Sequence, residues 1–362
     1  MDNINQSTWR LLDTGTRHAA ENFAINRAIL ESHQQGSSPH TLRFLGFYPA
    51  ALIGFHQDVE QELNLDFIRT NNIEVQRRLS GGGAIYMDEL QFGWELYLNR
   101  QTLASGDMSA IARRICDTVA GALQALGVDA RFRPRNDIEV NGRKISGTGG
   151  YFDGDSFLYQ GSLLVDFDME RMMRVLRIPA EKINNKSISD ARQRIITLRE
   201  LLGDKVPTAD KVKSVIADAI ADEFSIQWQT TESLNSAEED IYHQALQEID
   251  SDEWVYQHNR PVTDAPLVED IYKAPGGLIR TTLIVDTLKQ RIKQLWITGD
   301  FFVKPSRLVV DLEASLRNTA VSELDKNVKD FFACANAEML MIQAEDFIAA
   351  ISQALARIDA KS

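Results

Sequence analysis

Hydrophobic and polar positions follow strand-like patterns in the first hundred residues. Residues 41–47 (TLRFLGF) and 50–55 (AALIGF) are two predicted strands separated by a turn at Pro49. Alternation is stricter over 91–98 (QFGWELYL), which predicts a third strand. Upstream, small apolar residues over 20–28 recur at spacings of three and four, so an amphipathic helix is expected before the strands.

The middle of the chain combines a long helical pattern with a hairpin. Apolar residues keep a helical period from Met108 to Leu126. DIEV at 137–140, an Asn-Gly pair and RKISG at 143–147 then fit two strands joined by a type I′ turn. Lys144 is therefore expected at the start of a strand, just after a tight turn. Further predicted elements are a strand over 156–167 and helices over 168–177 and, behind the cap Thr208, over 208–222.

The polar, aperiodic run 229–238 is a candidate linker, and we divide the chain there into domains 1–238 and 239–362. Ser236-x-x-Glu239 is typical of a capping box for a helix that runs to about residue 249. The patterns beyond it predict strands over 278–286 and 289–298 and helices over 307–317, 321–333 and 343–358.

Charge and composition limit the possible partners. The 362 residues include 39 Lys and Arg against 52 Asp and Glu, a net charge of −13, so neither nucleic acid nor a membrane is an expected partner. The N-terminal run lacks the pattern of a signal peptide, and no apolar stretch reaches the length of a membrane span. Two cysteines, Cys116 and Cys334, supply neither a disulfide framework nor a zinc site. We expect a cytoplasmic protein.

The first candidate for chemistry is RRLSGGGAIYMD, residues 77–88. It lacks the spacing of a P-loop or a dinucleotide-binding loop, and GGG alone equally fits a tight turn between strands. Arg77, Arg78 and Ser80 precede the glycines. Guanidinium groups beside bare backbone N–H groups suit a carboxylate or phosphate that must approach the chain closely.

The second candidate is RNDIEVNGRKISGTGG, residues 135–150. It brings an amide (Asn136), a carboxylate (Asp137) and an amine (Lys144) into one short segment. In isolation the same residues also fit a plain hairpin with a solvated lysine.

Together the two segments resemble the lipoate–protein ligase A family, whose fingerprint is R-R-x-S-G-G-G-A-[VI]-[YF]-H-D followed by R-N-D-[LI]-x-V-x-G-x-K-[IV]-S-G-[ST]. GSLLVDFDMERMMRVLRIPAEKI and SISDARQRIITLRELLG resemble the family's next elements, so the likeness spans about residues 8–203. A second stretch, about 270–345 with YKAPGGLIRTTLIVD and WITGDFF, resembles the family's small accessory domain.

This resemblance implies a fold and a two-step reaction. The fold is α+β: a class II tRNA synthetase/biotin ligase-like catalytic domain, with a mixed, mostly antiparallel sheet and flanking helices, plus a small α+β accessory domain. Lipoate and ATP form lipoyl-AMP, and a lysine of an acceptor protein then takes the lipoyl group. The expected cofactors are ATP and Mg²⁺, with lipoate as substrate.

Several residues take roles by this resemblance. Lys144 is the expected catalytic residue, an electrostatic clamp on the lipoate carboxylate and the α-phosphate; Arg78 would hold phosphate, and Asp137 would bind Mg²⁺. The predicted site for ATP and lipoyl-AMP comprises Arg78, Ser80, Gly81, Gly82, Gly83, Ala84, Ile85, Tyr86, Asn136, Asp137 and Lys144.

The chain departs from the family pattern at the acyl pocket. The histidine after the aromatic residue is Met87, and the family's HHG triplet is Tyr159-Gln160-Gly161. Met87, Gln160 and Gly161 are the expected acyl-pocket residues. All six histidines of the chain fall outside the motifs and are predicted surface or packing residues.

Two alternatives stay open. A related octanoyltransferase would move its acyl group through a thioester, but both cysteines lie outside the two motifs. A catalytically silent lipoate-binding module would explain the missing histidines, although it gives no purpose to Lys144 and Asp137. For the ligase we expect a monomer that uses lipoate or octanoate and modifies a lipoyl domain or an H-protein-like acceptor.

Overall fold

The computed structural model describes residues 7–103, 107–134, 136–177, 193–260, 263–335 and 337–359. Arg135, and residues 178–192 of the family-like segments, lie outside the described residues. The chain's internal contacts group into two compact units. The larger unit comprises Met1–Leu52, Asn64–Gln76 and Ile85–Ser251, and the smaller unit comprises Ile53–Leu63, Arg77–Ala84 and Asp252–Ser362. The domain boundary at residue 238 stays a prediction.

An eight-stranded sheet forms the centre of the larger unit, in the order β11-β1-β2-β6-β10-β9-β8-β7. β1 runs parallel to β2 and β11, and the other neighbours are antiparallel. The expected mixed, mostly antiparallel sheet is therefore confirmed. Its strands are β1 (Thr8–Arg17), β2 (Thr41–Phe47), β6 (Gln91–Asn99), β7 (Arg131–Arg133), β8 (Asp137–Val140), β9 (Arg143–Asp153), β10 (Ser156–Leu164) and β11 (Gln227–Thr231).

Helices cover both faces of this sheet, because the side chains of its strands point alternately to either face and are apolar on both. On one face Trp94 and Phe157 of the sheet join a buried core with Ile115 and Ile216 from two helices. On the other face Tyr97 packs in a smaller buried cluster. The helices of the larger unit are α1 (Ala19–Gln34), α3 (Leu65–Thr70), α4 (Met108–Ala125), α5 (Met169–Val175), α6 (Leu198–Leu202), α7 (Ala209–Phe224) and α8 (Ser236–Ile249).

A small three-stranded sheet, ordered β4-β3-β5, carries the ends of the glycine-rich segment. Its strands are β3 (Ala50–Ile53), β4 (Glu74–Arg77) and β5 (Ile85–Met87). The loop between β4 and β5 therefore starts and ends on strands that both neighbour β3.

The smaller unit has its own hydrophobic core, in which Ile279 and Ile297 of a meander are packed with Phe347 of a helix. Its strands are β12 (Val268–Ala274), β13 (Gly277–Asp286), β14 (Arg291–Gly299), β15 (Val303–Lys304) and β16 (Glu338–Met339), and its helices are α2 (Val59–Glu62), α9 (Asp252–Tyr256), α10 (Leu308–Ser315), α11 (Leu324–Cys334) and α12 (Ala344–Asp359). Among the described helices, none has the length and apolar composition to span a bilayer.

Two local predictions need correction. Asn235, one residue earlier than predicted, caps α8, and Glu238 completes the capping box, because an Asn side chain accepts the N3 amide as well as Ser does. Part of the predicted linker is strand β11, paired with β1. Backbone hydrogen bonds do not depend on side-chain polarity, so a polar run can form an edge strand. Glu238 itself is buried against Arg10, with oxygen–nitrogen distances of 2.7 and 2.5 Å.

Candidate functional site

Lys144 lies at the beginning of β9, directly after the tight turn. Asn141 and Gly142 have φ angles of 51° and 77°, which confirms the predicted turn between β8 and β9. The backbone of Lys144 is held on its other side, where its N–H donates to Arg194 at 2.7 Å and its carbonyl accepts from Ile196 at 2.9 Å. The lysine backbone is thus fixed on both sides, while 39% of its side chain is exposed.

The Lys144 amine reaches across the ladder to Asp137. Its Nζ lies 2.8 Å from one carboxylate oxygen of Asp137, and the Arg133 guanidinium lies 2.6 Å from the other. Asp137 pairs with Gly147 across the two strands, and a Cβ on Gly147 would come within 2.5 Å of the Lys144 Nζ. The missing side chain at Gly147 therefore leaves the path along which the lysine reaches its carboxylate.

Asn136 is tied to Thr148 by three hydrogen bonds. The carbonyl of Asn136 accepts from the Thr148 N–H at 2.8 Å and from its hydroxyl at 2.9 Å. The Asn136 side-chain amide donates to the Thr148 carbonyl at 2.7 Å. The structure thus brings the predicted residues Asn136, Asp137 and Lys144 together at one place in the larger unit.

The other predicted residues divide between the two units. Arg78, Ser80, Gly81, Gly82, Gly83 and Ala84 belong to the smaller unit, whereas Ile85, Tyr86, Met87, Gln160 and Gly161 belong to the larger one. Each group is described by itself.

Arg77 is a structural residue of the smaller unit. Its side chain is fully buried and donates to the carbonyls of Gly54, Phe55, Gln57, Trp254 and Val255, at 2.6 to 3.2 Å. Burial lowers the pKa of the guanidinium to about 9, which keeps it charged at neutral pH. These surroundings do not support an anion-binding role for Arg77, because its N–H groups donate to carbonyls of the protein's own backbone.

Arg78 is folded into the loop that it begins. It is 8% exposed, and one guanidinium nitrogen donates to the carbonyls of Gly81 and Gly83 at 3.1 and 2.9 Å. Burial lowers its pKa to about 10. Arg78 therefore shapes the backbone of the glycine loop from within, and its role on nucleotide phosphate stays a prediction.

The three loop glycines differ in what surrounds them within the smaller unit. A Cβ on Gly81 would lie 2.1 Å from the Phe301 carbonyl oxygen, and Gly82 has a φ of 96° with the Phe302 ring 3.0 Å away. A Cβ on Gly83 would meet nothing closer than 3.8 Å. Protein packing therefore requires glycine at the first two positions and leaves the third unexplained.

The residues after the loop form β5. Its Tyr86 and Met87 are buried, at 2% and 3% exposed, and pair with Ala51 and Ala50 of β3. Burial raises the pKa of Tyr86 above its usual value. Ile85 is exposed. The Met87 side chain is thus part of the buried apolar packing around this small sheet.

Gln160 and Gly161 lie on β10, beside β9. Gln160 faces Gly149 in the neighbouring strand and Glu95 on the other side. A Cβ on Gly161 would come within 2.5 Å of the Trp94 indole, so this glycine lets the ring lie against the strand. Both residues lie on the same central strand, and their acyl-binding role stays a prediction.

The surroundings of Cys116 are not those of an activated nucleophile. Cys116 is fully buried on α4, and burial raises its pKa, which disfavours the thiolate. Its Sγ contacts the hydroxyls of Tyr159 at 3.3 Å and Thr148 at 3.5 Å. Cys334 is exposed at the end of α11, in the smaller unit.

Two acidic side chains, Asp137 and Glu139, lie at this place, and Arg133 contacts both of them. Within the described residues, no three His, Cys, Asp or Glu side chains are grouped to hold an ion. Both oxygens of Asp137 contact cationic side chains. Magnesium arriving as a nucleotide complex would fit better than a resident ion, because Mg²⁺ commonly takes one carboxylate with phosphate oxygens and water.

Comparison with known families identifies the class of protein. The profile described as "Lipoyl protein ligase A/B catalytic domain" matches residues 18–221, more than half of the chain. The chain therefore belongs to the lipoyl protein ligase A/B family, and it is an enzyme of the lipoate ligase and transferase group.

Its relatives include both kinds of enzyme. Lipoate-protein ligase LplJ of Bacillus subtilis is 29% identical over 282 residues, which cover 77% of this chain and 82% of that protein. Octanoyltransferase LipM of Kyrpidia tusciae is 27% identical over 273 residues, covering 69% and 99%. The crystal structure of LipL1 from P. falciparum with lipoate has a TM-score of 0.72, covering 97% of this chain and all of that one at 17% identity, which shows a shared fold.

Sequence reasoning missed the residues that support Asn136. Thr148 lies within the quoted SGTGG run and Tyr159 within the departing triplet, but neither pattern shows which side chains meet across strands. Cys116, which was considered above only as a possible nucleophile, contacts the hydroxyls of both residues.

Proposed function

We propose that the chain is an ATP-dependent lipoate–protein ligase. It joins lipoate to AMP and then passes the lipoyl group to a lysine of an acceptor lipoyl domain or H-protein-like protein. The observation that carries this proposal is the Lys144–Asp137 pair, in which a partly exposed amine on a fixed strand lies 2.8 Å from a carboxylate oxygen. Asn136 supports the same strand end through Thr148.

In the first step a lipoate carboxylate oxygen forms a bond to the α-phosphorus, and the bond to pyrophosphate breaks. Two anions approach each other, so a fixed cation between them lowers the barrier. The Lys144 ammonium supplies that charge. Asp137 orients the amine beforehand, and its carboxylate is the side chain that would hold magnesium.

In the second step the acceptor amine forms a bond to the acyl carbon, AMP leaves, and the amine loses a proton. The same ammonium is suited to stabilise the AMP phosphate as the leaving group. No covalent intermediate on the enzyme is needed for either step, which agrees with the inert surroundings of Cys116.

Octanoyl transfer is the second candidate, favoured by relatives that carry the name octanoyltransferase. It requires a nucleophilic thiolate that an acyl donor can reach. Cys116 is 0% exposed and burial raises its pKa, which disfavours the thiolate that a thioester route through this residue would need. The ligase therefore remains the better supported function.

The deciding experiment records the mass of acceptor proteins, a lipoyl domain and an H protein, after incubation with the enzyme, Mg²⁺, ATP and lipoate. Parallel reactions omit ATP or replace it and lipoate with octanoyl carrier protein, and Cys116→Ala is run beside the wild type. We expect a lipoyl mass gain only with ATP, retained in Cys116→Ala. Modification from octanoyl carrier protein without ATP, lost in Cys116→Ala, would establish the transferase instead.

A further inference from the structure

A buried chain of hydrogen bonds runs from α4 through β10 to the loop that carries Asn136. The Cys116 Sγ lies 3.3 Å from the Tyr159 hydroxyl, which lies 2.7 Å from the Thr148 hydroxyl. The Thr148 hydroxyl lies 2.9 Å from the Asn136 carbonyl oxygen. Cys116 is 0% exposed, Tyr159 1% and Thr148 7%, so the chain is shielded from solvent.

Counting protons fixes the direction of this chain. The Asn136 carbonyl can only accept, so Thr148 uses its single hydroxyl proton there. Tyr159 must therefore donate to Thr148, and its oxygen is left to accept from the Cys116 thiol. Burial raises the pKa of both Tyr159 and Cys116, which keeps both groups protonated as donors.

Tyr159 is built into the sheet so that its hydroxyl has one position. Its ring lies against Gly150, where a Cβ would come within 2.4 Å of the ring carbon Cδ2. The ring also stacks on Phe157, with centroids 5.9 Å apart. A hydroxyl on a ring held from two sides is a fixed donor, better suited to position Thr148 than a mobile side chain.

Thr148 transmits this constraint to the predicted catalytic pair. It holds Asn136 by three hydrogen bonds, and Asn136 directly precedes Asp137. Thr148 also shares β9 with Lys144. The hydroxyl of Tyr159 thus supports both partners of the 2.8 Å contact between Lys144 and Asp137.

We propose that Tyr159 is a positioning residue for adenylate formation, acting through Thr148 and Asn136 on the Asp137–Lys144 pair. This rests on the proposed ligase function. Tyr159 occupies a position where the resembled family pattern has histidine. The tyrosine hydroxyl supplies a buried donor at that position.

The test uses Tyr159→Phe, with Tyr97→Phe as the matched control. Tyr97 is another fully buried tyrosine of the same sheet, and it donates to Glu95 at 2.6 Å, away from the chain described above. Both variants lose one buried hydroxyl and keep the ring. Lipoate-dependent exchange of pyrophosphate into ATP and urea unfolding are measured for each.

We expect Tyr159→Phe to lower kcat for exchange about tenfold, because small misplacement of a catalytic group is costly, while KM for ATP and lipoate stays within about twofold. Tyr97→Phe should keep kcat within about twofold despite a comparable loss of stability. A Tyr159→Phe enzyme with wild-type kcat, or one whose kcat matches that of Tyr97→Phe, would overturn the proposal.

A double-variant cycle tests whether the effect passes through Thr148. Thr148→Val keeps the shape and removes the hydroxyl. Since Tyr159 acts through that hydroxyl, Tyr159→Phe should cost about tenfold in the wild type and less than about twofold in Thr148→Val. Two effects that multiply would show independent roles and contradict the proposed route.

A readout that needs no activity separates this proposal from the ligase function. Amide hydrogen exchange at Thr148, whose N–H donates to Asn136, should accelerate about tenfold in Tyr159→Phe and stay unchanged in Tyr97→Phe. Unchanged exchange would overturn the positioning role. Accelerated exchange in a protein without any ATP-dependent lipoylation would support the coupling and reject the ligase.

Discussion

The two signature segments contain similar residue types but use them in opposite ways. In the glycine-rich segment the cations point inward: Arg77 donates to five backbone carbonyls, and Arg78 donates to the loop itself. In the second segment Lys144 points outward, since 39% of its side chain is exposed beside Asp137.

This difference shows that a charged residue beside glycine does not by itself define a ligand contact. A buried guanidinium with five N–H groups can satisfy many carbonyls that would otherwise be costly to bury. A lysine on a strand, with a carboxylate partner and solvent access, keeps its charge available. The arginines of the first segment therefore shape its loop, whereas Lys144 of the second segment keeps an ammonium group that a ligand can reach.

The largest expected effect is that of Lys144→Ala on activity. Removing the charge should reduce pyrophosphate exchange about 10³-fold, because electrostatic stabilisation of the transition state is lost. The free energy of unfolding should change by less than about 0.5 kcal/mol, since exposed ion pairs contribute little. Arg143→Ala is the control: this neighbour on β9 pairs with Glu200, and its loss should leave exchange within about threefold. Equal losses of pyrophosphate exchange in Lys144→Ala and Arg143→Ala would contradict a special role for Lys144.

Arg77→Lys should destabilise the protein without a direct role in chemistry. Three ammonium protons cannot replace the guanidinium fork that reaches five carbonyls, so we expect a loss of about 3 kcal/mol in urea unfolding. Arg69→Lys, where 70% of the side chain is exposed, should change stability by less than about 0.5 kcal/mol. An Arg77→Lys protein of wild-type stability that no longer binds ATP would instead make Arg77 a ligand residue.

Two alanine substitutions within the glycine loop sharpen the comparison further. Gly81→Ala should cost about 2 kcal/mol of stability, because its Cβ would meet the Phe301 carbonyl at 2.1 Å. Gly83→Ala, with 3.8 Å to its nearest neighbour, should cost less than about 0.5 kcal/mol. If Gly83→Ala alone raises KM for ATP, the bare backbone at Gly83 is needed for nucleotide binding. Equal stability losses in Gly81→Ala and Gly83→Ala would contradict the difference in packing between the two glycines.

For a single residue at pH 5.5, the protonation of buried histidines gives the smallest expected effect, with His33 in the larger unit and His258 in the smaller one. Burial lowers the pKa of His33 to about 4, with nearby His40 and Arg10 adding to the shift, and lowers that of His258 to about 3. The unfolded chain takes up these protons first as pH falls below about 6.5. Stability is therefore fully present above that pH and decreases as the pH falls, toward about pH 4 for His33 and about pH 3 for His258, by about 1.4 kcal/mol for each histidine at pH 5.5.

Urea unfolding at pH 7.5, 6.5, 5.5 and 4.5 measures this dependence. His33→Gln should flatten part of the curve, because the variant has no imidazole to protonate. A stability that rises on acidification would contradict the sign of both shifts.

Much of the fold could be predicted from hydrophobic periodicity. The strand over 41–47 is β2 with the same bounds, and the helix behind Thr208 is α7, with the Thr208 side chain accepting from Lys211. Strand β1 was missed, because its second half, DTGTR, is polar and mostly exposed and lacks an alternating pattern.

The site could be predicted only as a set of segments. Motif residues gave Asn136, Asp137 and Lys144, which the structure brings together. The inward direction of Arg77 could not be predicted, since its partners are carbonyls of residues about 20 and 177 positions away, and carbonyls leave no mark in a sequence. The support from Tyr159 depends on strand register, which the turn residues alone do not specify.

The most direct test of the central claim is intact-protein mass spectrometry after incubation with Mg²⁺, ATP and lipoate, without an acceptor. The same samples are acid-quenched and searched for free lipoyl-AMP. We expect lipoyl-AMP in the quenched solution, an unmodified protein mass, and loss of lipoyl-AMP in Lys144→Ala. A lipoyl adduct on the protein that disappears in Cys116→Ala would contradict it, because the acyl group would then pass through a thioester.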